Sequence, residues 1–340
     1  MAYRHHKSAK LEESLNQAQK AAPSPYEGLT EEELFTPAEY DQAAGERVAY
    51  SGYSYWRSTF RVFLKNKVAL CLLILIAILL AFTFIQPLLP GQRSPIEVFN
   101  DPATGMPYRN LKPGQEGFLF GSNSIGQDLW SRVWSGTRTS LLIGFAVALV
   151  EAVVGVLVGV LWGYVRRLDR LFTEIYNVLD NIPQTIVLIL IAYILRPSIQ
   201  TLILSMCLTG WLGMSRFIRN QIVIIRDRDY NLASRCLGTP TFRIIFRNLL
   251  PYLVSVITLR MALAIPSAIG NEVFLTYIGL GLPVDTPSLG NLINEGRMIM
   301  TIPDLQYQLF FPAIVLSFIT ISFYIIGNAF ADAADPKNHR

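Results

Sequence analysis

Hydrophobic and polar positions separate along this chain in long blocks. Residues 68–87 are apolar with no charge inside them, and further apolar blocks cover 139–163, 171–195, 199–214, 251–280 and 309–331. A helix needs about 20 apolar residues to cross the hydrocarbon core of a bilayer. The pattern therefore predicts an all-α fold of six membrane-spanning helices, the fourth of them short, with both termini on one side. The blocks divide the chain into a polar tail (1–67), a first transmembrane helix (68–88), an external loop (89–138), a five-helix core (139–331) with a long basic loop at 215–250, and a polar tail (332–340).

Shorter patterns refine this division. Within the first tail, residues 10–20 have helical character, and Thr30 followed by Glu33 matches a capping box. Over 53–67, Trp56, Phe60, Phe63 and Leu64 recur at helical spacing among Arg57, Arg61, Lys65 and Lys67. That is an amphipathic helix suited to the membrane surface. Residues 125–138 predict a short amphipathic helix leading into the second span. Gly155, Gly159 and Gly163 share one face of that span, where small residues let another helix approach closely.

Composition agrees with a membrane protein. The 340 residues are 51% hydrophobic and 16% charged, against about 25% charged in soluble domains. The first apolar block begins near Val68, too late for a cleavable signal. Seven arginines lie in 215–250 and three in 164–170, against one each in 196–198 and 281–308. The bias places these basic segments and both termini in the cytosol, although residues 88–138 carry five basic residues and weaken it. Basic residues beside apolar blocks suit topology and argue against nucleic-acid binding.

Candidate chemistry is sparse. No phosphate loop, zinc-protease helix, C-x-x-C pair or nucleophile elbow occurs, so the chain is not expected to be an enzyme or to hold its own cofactor or metal. Acidic residues inside apolar blocks stand out because an ion left in lipid costs several kcal/mol. Glu174 lies near the inner end of its span, where it reaches the interface. Glu151, Asp180 and Glu272 are the candidates for a transport path or gate. Four acids with few intramembrane bases also suit an ion- or proton-coupled secondary carrier, but such carriers usually show inverted repeats, and no repeat is visible.

The basic loop carries the sharpest signal. Residues 230–243 predict two short helices meeting at a corner: Gly238 supplies positive φ, Thr239 an N-cap and Pro240 the first position of the next helix. Arg216, Arg219, Arg226, Arg228, Arg235, Arg243 and Arg247 surround it.

This corner resembles the cytoplasmic "EAA" loop of binding-protein-dependent ABC importer permeases. Ala233, Gly238, Leu250 and Pro251 match that pattern; Leu232 stands for the usual acid, Ser234 for an alanine, and Asn248 where histidine is common. Residues 120–132 (FGSNSIGQDLWSR) resemble the G-T-D-x-x-G-R-D-x-x-S-R signature of the dipeptide/oligopeptide/nickel "C" permeases, with Gln127 for arginine. Leu275–Gly281 with 286–291, and the ending 332–337, are similar to that subunit's later motifs.

The resemblance covers about residues 56–337 and implies a type I ABC importer permease of the prokaryotic cell membrane. It implies a second, homologous permease, two cytosolic ATPases that bind ATP and Mg, and an extracellular binding protein that delivers peptides or, in some relatives, chelated nickel. It also implies that Leu232, Ala233, Ser234, Leu237, Gly238, Thr239 and Pro240 couple the permease to an ATPase. With no acid at Leu232, docking is expected to rest on shape and apolar contact.

Overall fold

A computed structural model describes residues 55–334. The predicted helix at 10–20, the capping box at Thr30 and the last residues of the C-terminal motif lie outside them.

The chain enters through helix α1 (Tyr55–Lys65), whose Phe63 is buried against the ring of Phe330 at 6.0 Å between centroids. Asn66 then breaks the helix and starts the next, its side chain accepting from the Ala69 N–H at 3.1 Å. Helix α2 (Lys67–Ile85) is apolar on all sides and buries only Ala69, Ile76 and Thr83. A helix of that kind is solvated by lipid.

Helix α3 (Leu129–Tyr164) has 36 residues, about 54 Å at 1.5 Å per residue. It exceeds the bilayer core, so the amphipathic turn predicted at 125–138 and the second span form one helix, and the external loop ends ten residues earlier than expected. Asp128 caps it through the Ser131 N–H.

The third block does not cross as one helix. Helix α4 (Arg166–Asp180) and helix α5 (Gln184–Ile194) meet at 72°. Pro183 has no N–H to continue the ladder and disfavours helical geometry at Ile182. Among the described residues, five helices are therefore long and apolar enough to cross a membrane, or six if this bent pair counts as one span.

Helix α6 (Ile199–Arg226) corrects the sequence reading most. It runs twelve residues past Met214, so 215–226 is helix where a loop was expected. The basic segment proper holds helix α7 (Asp229–Cys236), helix α8 (Thr241–Ile244) and a π turn (Ile245–Leu249) that leads into helix α9 (Leu250–Tyr277). The region at 281–308 contains helix α10 (Leu289–Met298), capped by Ser288. Helix α11 (Tyr307–Ala334) takes in Asp332–Ala334, which were expected in a tail.

The core forms where α3 meets α6. A side chain at Gly155 would strike Met214, one at Gly159 the Ser215 carbonyl and Ile218, and one at Gly163 Ile222. The three glycines thus let α6 lie directly against the α3 backbone. Ile218, Ile222 and Ile225 continue that contact onto Ile244, Leu249 and Leu253, so the basic segment is packed onto the bundle.

The opposite end closes on itself. Arg132 is buried, bonds Gln127 and pairs with Glu295 at 2.7 Å. Burial pushes the Glu295 carboxyl above its ordinary range, and the Arg132 charge pulls against it. The Tyr307 hydroxyl donates toward the Leu111 and Ser122 carbonyls at 2.7 and 2.9 Å. Arg93 stacks 3.7 Å from the Phe118 ring.

Candidate functional site

The corner is built from backbone geometry first. The Thr239 N–H bonds the Ser234 carbonyl and the Gly238 N–H bonds the Arg235 carbonyl, both at 3.0 Å. These are the two crossing bonds of a Schellman motif. They require a left-handed residue, and Gly238 has φ +77°. A side chain there would meet nothing within 4 Å, so backbone conformation alone demands glycine. The next helix starts one residue later than expected: Pro240 is its cap, in extended geometry, and Thr239 makes no side-chain cap. Proline in the capping position has no side-chain acceptor, so the orphan amides of this short helix are not closed by a side chain.

Two polar anchors tie the corner to the bundle. Asn231 is buried, donates to the Ile225 carbonyl at 2.8 Å and accepts from Asn248 at 3.1 Å. The corner is thereby linked to the end of α6 on one side and to the π turn on the other. Asp227 pairs with Arg166 at 3.3 Å, Arg226 at 3.2 Å and Arg235 at 3.1 Å. Partial burial raises its carboxyl, but hydrogen bonds from Arg235 and Arg226 outweigh that and hold it below its ordinary value. Sequence reasoning passes over both anchors. An asparagine seven residues before the capping glycine is an unremarkable helix residue until tertiary contacts are known.

Large apolar side chains are exposed on the corner, beside the exposed Asp229, Arg243 and Arg247. Leu237 is 86% exposed and Phe242 71%, with Leu232 and Phe246 exposed beside them. The rings of Phe242 and Phe246 lie 4.3 Å apart. Ala233, Gly238 and Pro240 are exposed, and Ser234 is half-buried with its hydroxyl on the Tyr230 carbonyl.

The three acids singled out for a path or gate occupy three unrelated places. Glu151 lines a cavity of about 400 Å³ with residues of α5, α6 and α9, among them Gln184, Gly210, Arg260 and Asn271. Asp180 sits at the α4–α5 bend, where it accepts from Tyr176 at 2.7 Å and faces Arg216 at 3.5 Å. It does not line the cavity. Glu272 is fully buried and accepts from Ser140 at 2.9 Å and Ser288 at 2.7 Å. Gly290 leaves room for its carboxylate. Glu272 therefore ties α3, α9 and α10 together inside a closed polar cage. Arg260 was not singled out by sequence, although a lone arginine inside an apolar block is a visible signal.

The described residues form a helical, multi-pass membrane protein with a capped corner between two spans, and comparison with known proteins gives its class. The family described as "Binding-protein-dependent transport system inner membrane component" matches residues 155–340, and the "N-terminal TM domain of oligopeptide transport permease C" matches 54–113. The chain is 38% identical over 311 residues to the oligopeptide transport system permease protein AmiD of Streptococcus pneumoniae, covering 91% of this chain and 99% of that one. It is 33% identical over 310 residues to the dipeptide transport system permease protein DppC of Bacillus subtilis, covering 91% and 94%. To the OppC oligopeptide permease protein of the same organism it is 30% identical over 305 residues, covering 89% and 97%.

The chain belongs to the binding-protein-dependent transport system inner membrane components. It is a permease subunit of an ABC importer in the cell membrane.

Proposed function

We propose that this subunit carries di- or oligopeptides into the cell, driven by separate ATPases that dock on the corner at 230–243. The relatives named above are peptide permeases over nearly their whole length. The observation that carries the coupling role is the construction of the corner. It is rigid toward the bundle, through Asn231, Asp227 and the Gly238 cap, and apolar toward solvent, through Leu237 and Phe242. An exposed apolar surface on a rigid mount suits a protein partner. Leu232, Ala233, Ser234, Leu237, Gly238, Thr239 and Pro240 form or border that surface.

In this reading a second, homologous permease completes the path, a binding protein delivers the peptide outside, and ATP and Mg are bound by the ATPases. Movement of the ATPases is passed through the corner to α6 and α9, both directly attached to it. A carrier driven by an ion gradient would need its acids in one relay, and Glu151, Asp180 and Glu272 lie in separate surroundings.

Gly238→Val tests the coupling. A β-branched residue resists left-handed geometry. The subunit is expected to insert and assemble, while reconstituted vesicles hydrolyse ATP without accumulating labelled peptide. Peptide uptake at the wild-type rate would contradict the role given to the corner.

A further inference from the structure

The cavity beside Glu151 holds two opposite charges that do not pair with each other. Glu151 on α3 and Arg260 on α9 both line it, yet no ion pair joins them among the described residues. Opposite charges within a membrane normally pair, because attraction is strong where water is scarce. Here each is held by its own wall. The Arg260 guanidinium lies 4.2 Å from the Phe217 ring. The Glu151 carboxylate fills the space left by the missing side chain of Gly210. Gln184, Ser267 and Asn271 add neutral donors and acceptors to the same lining.

We infer that this cavity is a transit subsite for a zwitterionic peptide, with the free α-amine met by Glu151 and the α-carboxylate by Arg260. The inference rests on the reading of this chain as a peptide permease. Both peptide ends lose hydration on entering the membrane, which is costly without a partner. A carboxylate and a guanidinium held apart supply one partner for each end, and the amides of Gln184 and Asn271 suit the peptide backbone. No part of this set reads a particular side chain. The volume of about 400 Å³ falls in the range of small-ligand sites, roughly 300–1,000 Å³. The homologous permease would close the remaining wall.

The test uses the whole transporter in vesicles, with ATP and with peptide-loaded binding protein. Uptake is scored per loaded binding protein for one peptide with free ends, its N-acetylated form and its C-amidated form. Glu151→Gln is expected to lower uptake of the free peptide roughly tenfold and to leave the N-acetylated form near wild type. Arg260→Gln is expected to do the same to the free peptide and to spare the amide. Glu151→Asp and Arg260→Lys should recover part of the loss, and ATP hydrolysis stimulated by the binding protein should persist in all four variants. Wild-type uptake of the free peptide by both glutamine variants would overturn the inference. So would an equal loss for all three peptides, which marks a structural role. A wild-type complex that takes up no peptide with ATP would instead sink the permease reading, and this subsite with it.

Discussion

Arg132 and Leu237 lie at opposite ends of the bundle in opposite situations. Arg132 is 1% exposed and is matched inside the chain by Glu295 and Gln127. Leu237 is 86% exposed, on a corner that Asn231 and Asp227 anchor to the bundle and that leaves Leu237 and Phe242 uncovered. The chain buries and pairs the charge at one end and leaves apolar side chains exposed at the other. In the proposed reading, the Arg132 end is the fixed reference of the subunit and the corner its interface. Glu272 belongs with the fixed end, since it joins α3, α9 and α10 through Ser140 and Ser288.

The contrast predicts unequal responses to substitution. The largest effect belongs to Arg132→Met, which leaves Glu295 as a largely buried charge without its partner. A loss of about 3–5 kcal/mol is expected, read as a lowered thermal midpoint in detergent, and adding Glu295→Gln should restore a good part of it. A midpoint unchanged by Arg132→Met would remove the distinction between the two ends.

Asn231→Ala should cost less, about 0.5–1.5 kcal/mol, because it removes one hydrogen bond each from the Ile225 carbonyl and the Asn248 amide, which keep weaker partners in the Arg228 N–H and the Ser234 hydroxyl. The loss should be local. Hydrogen exchange is expected to quicken over 229–249 while the helices around Arg132 keep their protection. Uniform quickening across the bundle would show that the corner is no separate unit.

The smallest effect concerns Asp227, whose side chain is 41% exposed. Asp227→Asn should change stability by no more than about 1 kcal/mol. Its carboxyl titrates lower in the folded chain than the ordinary 3.8. The stabilisation is therefore complete above that ordinary value and is lost as pH falls through the folded one. Exchange at the corner in the wild type should quicken across that acid window, and the asparagine variant should lack the step.

The blocks of hydrophobicity made the spans legible, and glycine before proline made the corner legible, because both depend on local chemistry. Gly238 has the positive φ expected of it, since no other residue adopts that conformation as cheaply. What the sequence hid depends on contacts between distant residues. The extension of α6 to Arg226 is one case. Hydropathy falls at Ser215, yet Ile218, Ile222 and Ile225 keep a helical stripe that packs on Ile244 and Leu249. Glu272 is another: its partners Ser140 and Ser288 lie 132 and 16 residues away. Asp227 escaped notice because its role comes from three arginines gathered from α4, α6 and α7.

The central claim is that the corner is where an ATPase binds, by apolar contact on Leu237 and Phe242. Co-purification with the assembled transporter tests it directly. With Leu237→Asp and Phe242→Asp together, the ATPase recovered with this subunit should fall about tenfold while the second permease is retained in full. Recovery of the ATPase at the wild-type ratio, with the second permease equally retained, would contradict the claim.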